Sequence, residues 1–94
     1  MGRIVAEKYQ KRFVQLGIVI ASLRKVRGLS QSQLALQSGI SRSLISAIEA
    51  PGMACNYTLE TLFDIAEVLQ IDPADLLRAS LFPDDFLDTP NSRK

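Results

Sequence analysis

Four residues with small or cationic side chains are spaced to share one exposed face of a short predicted helix: Arg42, Ser43, Ser46 and Ala47. An arginine fork can meet the O6 and N7 acceptors of a guanine together, and a serine hydroxyl can donate to or accept from several bases. An alanine offers only a methyl group, which can touch a thymine methyl. The face therefore has the chemistry of a surface that reads base edges, while Arg42 by itself suits a phosphate or solvent equally well.

Other chemistries are poorly represented in the sequence. Histidine is absent and Cys55 is the single cysteine, which leaves no zinc site, no His-based catalytic triad and no internal disulfide. No nucleophile is paired with a base, and no glycine loop could cradle a phosphate. We therefore expect a protein that is not an enzyme and that binds no metal and no cofactor. Neither a secretory signal nor an apolar run of about 20 residues is found, so we expect a cytoplasmic protein without a membrane span.

The residues that must position this face lie in the stretch 29–50. Ser30 and Gln33 form a capping-box pattern that opens a helix at about residue 31. Gly39 suits the left-handed residue that ends this helix near residue 38, and Ser41 can cap a second helix after a tight turn. The apolar spacing gives each helix one buried face, formed by Leu34, Ala35, Ile40, Ile45 and Ile48.

Two short helices joined by a glycine-containing turn are typical of a helix-turn-helix, whose second helix fits the DNA major groove. The order Gln31, Leu34-Ala35, Gly39-Ile40-Ser41, Ile45-Ser46 and Ile48-Glu49 resembles the Cro and phage-repressor (Xre-type) DNA-binding family. The resemblance covers roughly residues 16–80. It implies an all-α, compact five-helix, lambda-repressor-like domain with an extended first helix.

The resemblance also implies roles for individual residues. The groove-facing positions of the family, where base contacts are made, are occupied here by Arg42, Ser43, Ser46 and Ala47. The positions expected to contact phosphates are Gln31, Ser30, Ser41, Arg24 and Lys25, although the two serines cap helices whether or not DNA is present. Arg24 and Glu49 match a pair that forms an ion bridge between the first helix and the end of the third.

The flanking sequence predicts three further helices. Residues 4–27 are expected to form one long helix, or two with a bend near Gly17, of which residues 1–15 are an N-terminal extension. Thr58 can cap a fourth helix, and Asp72-Pro73 is a start signal for a fifth. Residues 81–94 form a C-terminal tail. The core-facing positions of the first helix are predicted to be Phe13, Leu16, Ile20, Leu23 and Val26.

Charge is distributed unevenly although the net charge is only +1. Residues 1–50 hold eight Lys and Arg against two acidic residues, whereas residues 51–94 hold three against eight. Such asymmetry favours a basic face for a polyanion and an acidic face turned away from it, although two solvated faces would also account for it. Lys25 and Arg27 are expected to add nonspecific attraction. The loop after Glu49 has no basic residue, which weakens its expected contribution to DNA binding.

Together these features predict a sequence-specific transcription regulator that binds double-stranded DNA as a homodimer on a palindromic operator. Controller proteins of restriction-modification systems are close to this chain in size. Two alternatives are an antitoxin of the same fold, whose tail would bind a small protein partner, and a protein-interaction adaptor that no longer binds DNA. Apolar residues beyond the needs of the core form the predicted dimer surface: Phe63, Leu69, Ile71, Leu76, Leu81, Phe82, Phe86 and Leu87.

Overall fold

Residues 5–81 are described by the computed structural model, and they contain five α-helices. The helices are α1 (Glu7–Val26), α2 (Gln31–Ser38), α3 (Arg42–Glu49), α4 (Leu59–Leu69) and α5 (Pro73–Leu81). Helix α1 packs against α3 and α5, α2 packs against α3 and α4, and α4 also contacts α5. All five helices contribute to one apolar core, so the predicted all-α, five-helix fold is confirmed.

The helix starts and stops predicted around the turn are present. Ser30 Oγ accepts a hydrogen bond from the Gln33 amide at 3.0 Å, and Gln33 Oε1 accepts one from the Ser30 amide at 2.7 Å. Gly39 ends α2 in the left-handed conformation at φ 74°. Ser41 Oγ then accepts from the Leu44 amide at 3.0 Å and caps α3. These local bonds satisfy amides that have no partner within the helix, and they hold the turn to three residues.

Helix α1 passes Gly17 without interruption, so the alternative of two helices with a bend there is wrong. Gly17 is buried at the crossing of α1 with α3, where a Cβ atom would overlap the carbonyl oxygen of Ile48. Glycine is required at this position because backbone lies directly against backbone. The absence of a side chain therefore sets the distance between α1 and the last turn of α3.

Two expectations about apolar residues are corrected by their burial. Val26 is 72% exposed, because it lies on the side of α1 that faces away from the core. Leu69 and Leu76 are 0% exposed and belong to the core where α4 and α5 pack together, so neither can form part of a dimer surface.

The remaining members of the predicted dimer surface differ in position. Phe63 is 51% exposed on α4, and Leu81 is 45% exposed at the end of α5. Ile71 is partly buried against the core. The other predicted members, Phe82, Phe86 and Leu87, lie outside the described residues.

A contact between distant parts of the chain fixes the end of α4. Gln70 follows that helix in the left-handed conformation at φ 59°, the only such non-glycine residue among those described. Arg27, which follows α1, reaches the end of α4 with its side chain. Its Nε donates a hydrogen bond to the carbonyl of Leu69, the last residue of α4, at 2.7 Å. Arg27 thus has a structural contact in addition to the nonspecific electrostatic role expected for it.

Replacing Gly17 with alanine is expected to lower the free energy of unfolding by about 1–3 kcal/mol, the usual cost of overpacking. Alanine favours a helix over glycine by about 1 kcal/mol, but the backbone of Ile48 cannot yield as a side chain tip would. Urea denaturation of Gly17→Ala measures the difference, with Lys11→Ala on an exposed part of α1 as the control. A variant as stable as wild type would show that α1 and α3 can separate without cost.

Candidate nucleic-acid interface

Helix α3 presents a sharply divided surface. Ile45 and Ile48 are 0% and 2% exposed and face the core. The four residues predicted to contact bases are all exposed: Arg42, Ser43, Ser46 and Ala47. Because positions four residues apart lie above one another on a helix, these four form a single stripe two residues wide. None of them contributes to the core, so the stripe is available to a ligand.

The N-termini of α2 and α3 carry the other predicted contacts. Both helices begin at a serine cap, Ser30 and Ser41, and the first amides beyond each cap have no partner within the helix. A helix N-terminus of this kind favours an anion through its amides and its dipole. Lys25 is exposed near the end of α1, which leads into α2. The predicted phosphate contacts of Ser30, Ser41 and Lys25 are compatible with these positions and stay predictions.

Arg24 and Glu49, the pair that the family resemblance implied, form a buried ion pair between α1 and the end of α3. Arg24 Nε lies 2.8 Å from Glu49 Oε2, and Arg24 Nη2 donates to Glu49 Oε1 at 2.9 Å. Arg24 Nη1 donates to the Leu29 carbonyl at 2.7 Å. The hydrogen bond to Glu49 raises the pKa of Arg24 against the lowering effect of burial, so the guanidinium stays charged. These bonds give Arg24 a structural role, and its contact with a phosphate stays a prediction.

Gln31 extends this ion pair to the exposed stripe. Its Nε2 donates to Glu49 Oε1 at 3.1 Å, while its Oε1 accepts from Arg42 Nη2 at 3.3 Å. The two bonds orient the amide, with the nitrogen toward Glu49 and the oxygen toward Arg42. The sequence analysis missed this link, although Gln31 and Arg42 are both the first residues of their helices, and that position is the signal that could have suggested it.

The loop after α3 is attached to the domain by aromatic packing. The Tyr57 ring meets the Phe13 ring edge to face, with 5.9 Å between the ring centroids. Burial raises the pKa of Tyr57 well above its ordinary value, and it raises the pKa of the nearby Cys55 thiol as well. Both groups therefore stay neutral at physiological pH and act as packing residues that connect the loop to α1.

Metal-ligand clusters and membrane-spanning helices are both absent from the described residues 5–81. No cluster of three or more His, Cys, Asp or Glu side chains is placed to hold a metal ion. No helix in this part of the chain combines the length and the apolar character needed to cross a membrane.

Comparison with known proteins identifies the same segment. A family model described as a helix-turn-helix domain matches residues 17–80. The crystal structure of the restriction-modification controller protein C.AhdI from Aeromonas hydrophila is 36% identical with a TM-score of 0.62, covering 68% of this chain and 94% of that one. A chain of the SinR protein/SinI protein complex is 28% identical with a TM-score of 0.65, covering 83% of this chain and 72% of that one. No curated protein matches the chain.

Replacing Arg24 with alanine is expected to lower the free energy of unfolding by about 3–5 kcal/mol, because it leaves the Glu49 carboxylate buried without its partner. Arg78 provides the comparison, since its pair with Asp75 is exposed and i,i+3 on α5. Arg78→Ala should cost less than about 1 kcal/mol. Chemical denaturation of both variants tests the difference, and equal losses would contradict the structural role assigned to Arg24.

Proposed function

We propose that this chain is a sequence-specific, DNA-binding transcription regulator without enzymatic activity and that it acts in the cytoplasm. The chain belongs to the helix-turn-helix family, whose model matches residues 17–80. The observation that carries the proposal is the exposed stripe of α3 joined through Gln31 to the buried Arg24–Glu49 pair. A helix binds the major groove more favourably when its orientation is fixed before binding. Here the orientation is fixed by contacts within the domain.

Helix α3 is the element that enters the major groove in this proposal. Arg42 at its first turn contacts a guanine, and Ser43, Ser46 and Ala47 face neighbouring base pairs. The amide ends of α2 and α3, together with Lys25, contact phosphates and set the register of the protein on the duplex. Most of the affinity then comes from phosphates and falls with salt, while the base preference comes from the stripe.

Gln31 has two roles in this arrangement. Its amide nitrogen carries two hydrogens, one of which is donated to Glu49, so the other remains for a phosphate. Its oxygen meanwhile holds Arg42 in place. A substitution at Gln31 therefore affects both binding and base preference, which makes it a poor variant for separating the two.

We propose further that the protein binds as a homodimer on a palindromic operator. One recognition helix reads only a few base pairs, and two-fold dimers place two such helices on half-sites about 34–36 Å apart. On α4, Leu59 and Phe63 are 65% and 51% exposed and lie four residues apart on the same side. With both apolar side chains in water, this face supports an isologous contact around Phe63, extended by Ile71 and Leu81.

The two structural neighbours favour different physiological settings. The similarity to C.AhdI, named as a restriction-modification controller, supports a controller role for this chain. The second neighbour comes from a complex of the SinR and SinI proteins, which supports a protein partner as a second candidate function. Copurification of a small partner protein encoded beside this chain would favour the second setting.

Arg42→Ala is expected to weaken binding to the cognate site by about 1–3 kcal/mol and to relax preference at one base pair of each half-site. Lys25→Ala is the control, since loss of a phosphate contact should weaken all sequences equally and reduce the salt slope by about 1. Sites selected from random duplex DNA supply the cognate sequence, and titrations at several salt concentrations measure both effects. If Arg42→Ala weakened random and cognate DNA alike, Arg42 would be a phosphate contact.

Phe63→Glu is expected to give a folded monomer with much weaker operator binding, because a two-fold contact places the new charge in the interface twice. Val26→Glu introduces the same charge at a residue that is 72% exposed on α1, and it should leave the dimer intact. Sedimentation equilibrium at micromolar concentration measures the assembly. A wild-type monomer would refute the dimer, and a dimer that survives Phe63→Glu would place its interface elsewhere.

A further inference from the structure

Glu49 is connected to the exposed stripe of α3 although it lies behind that stripe. Its carboxylate side chain is only 3% exposed. Glu49 is also the last residue of α3, about 10 Å along the helix axis from Arg42 at its start. Gln31 bridges that distance, because its Nε2 donates to Glu49 Oε1 at 3.1 Å and its Oε1 accepts from Arg42 Nη2 at 3.3 Å. One amide thereby links a buried carboxylate to the side chain proposed to contact a guanine.

We propose that Glu49 is a positioning residue that sets the base preference of Arg42 through Gln31. This inference rests on the DNA-binding function proposed above and extends it to a group that is too deeply buried to contact DNA. Glu49 then has two separable roles. It is the ion-pair partner of Arg24, and it is the acceptor that orients Gln31.

The polarity of the three side chains fixes the direction of the Gln31 amide. A carboxylate only accepts hydrogen bonds and a guanidinium only donates them, whereas an amide has one end of each kind. The Gln31 nitrogen therefore faces Glu49, and the Gln31 oxygen faces Arg42. Turning the amide by half a rotation would bring two acceptors together at one end and two donors together at the other. Glu49 thus ensures that Arg42 meets an acceptor on α2.

Glu49 can orient Gln31 because its own position is fixed from the interior. Arg24 Nε donates to Glu49 Oε2 at 2.8 Å, and Arg24 Nη2 donates to Glu49 Oε1 at 2.9 Å. Arg24 is fixed in turn by its bond to the Leu29 carbonyl at 2.7 Å. The bond between Gln31 and Arg42 is longer and lies at the surface. Its loss is expected to change an equilibrium constant by about two- to tenfold, the usual range for one hydrogen bond.

The bond to Gln31 leaves Arg42 able to contact a base. A guanidinium has about five N–H donors, and those not bonded to Gln31 remain for the two acceptors of a guanine. A side chain that is already ordered loses less conformational entropy on binding. An arginine without this bond turns more readily to a phosphate, which is the same at every base pair. Loss of the Gln31 orientation is therefore expected to weaken base preference more than overall binding.

Two variants separate the two roles of Glu49. Arg24→Lys keeps the Glu49 carboxylate as the acceptor of Gln31 but removes the forked contact, so it should be less stable than wild type and keep the base preference. Arg24→Met/Glu49→Met replaces the buried pair with apolar side chains, which folded domains often tolerate, but it removes the acceptor. We expect this double variant to lose about two- to tenfold of the preference at the base pair that Arg42 contacts.

Titrations with duplexes that differ at single base pairs measure this preference, after circular dichroism has established that each variant is folded. The base pairs that face Ser43, Ser46 and Ala47 are the internal control and should keep their preference. Full preference in the double variant would overturn the positioning role of Glu49. A loss spread over the whole half-site would overturn it as well, because α3 would then have turned as a unit.

A measurement on the free protein tests the direction of the coupling with changes at the surface alone. NMR relaxation of the Gln31 side-chain amide and of Arg42 Nε reports how far each group moves. Arg42→Ala should leave the Gln31 amide ordered, because Glu49 still binds it, whereas Gln31→Met should make Arg42 more mobile. A Gln31 amide that becomes mobile in Arg42→Ala would show that Glu49 does not orient it and would overturn the proposal.

The two measurements distinguish failure of this inference from failure of the proposed function. Wild-type protein that binds all duplexes equally would refute sequence-specific DNA binding itself, whatever the mobility of Gln31. Selective binding by wild type together with an unchanged preference in the double variant would refute only the role of Glu49.

Discussion

The ion pair between Arg24 and Glu49 is the interaction on which the arrangement of α3 depends. Its two charges lie on α1 and at the end of α3, and both are largely withdrawn from water. A pair in that position is costly to break, because each partner alone would remain a buried charge. The same carboxylate also receives Gln31, so α1, α2 and α3 meet at one group. Through Gln31 the ion pair reaches Arg42, which connects the interior of the domain to the exposed stripe.

The close contact between Gly17 of α1 and the backbone of α3 complements the ion pair. Arg24 binds the side chain of Glu49, whereas Gly17 lies against the backbone of Ile48, the residue that precedes Glu49. One contact is electrostatic and directional, and the other is steric and sets a distance. Together they fix both the separation and the rotation of the last turn of α3 relative to α1. The exposed stripe of α3 therefore keeps a fixed direction relative to the rest of the domain, although its own residues take no part in the core.

Features governed by local physics could be predicted from the sequence. The capping box at Ser30, the left-handed Gly39 and the cap at Ser41 depend on neighbouring residues only, and each is present. Features governed by distant packing were predicted less well. The sequence leaves a bend at Gly17 open as an alternative because the contact partner of Gly17 is 31 residues away, and it places Leu69 and Leu76 on a surface because their burial depends on how α4 and α5 pack. The Arg24–Glu49 pair was predicted through family resemblance, since spacing alone would not have matched two residues 25 apart.

The bond from Arg27 to the Leu69 carbonyl has a consequence for the opening motions of the domain. Helix ends normally fray independently, because their last carbonyls are satisfied by water. Here the last turn of α4 and the last turn of α1 share a hydrogen bond across 42 residues of chain, so the release of one end removes a stabilising contact from the other. Arg27 is also only three residues from Arg24. Fraying at the end of α4 is thus coupled to fraying at the end of α1, by no more than the roughly 1 kcal/mol that one hydrogen bond contributes.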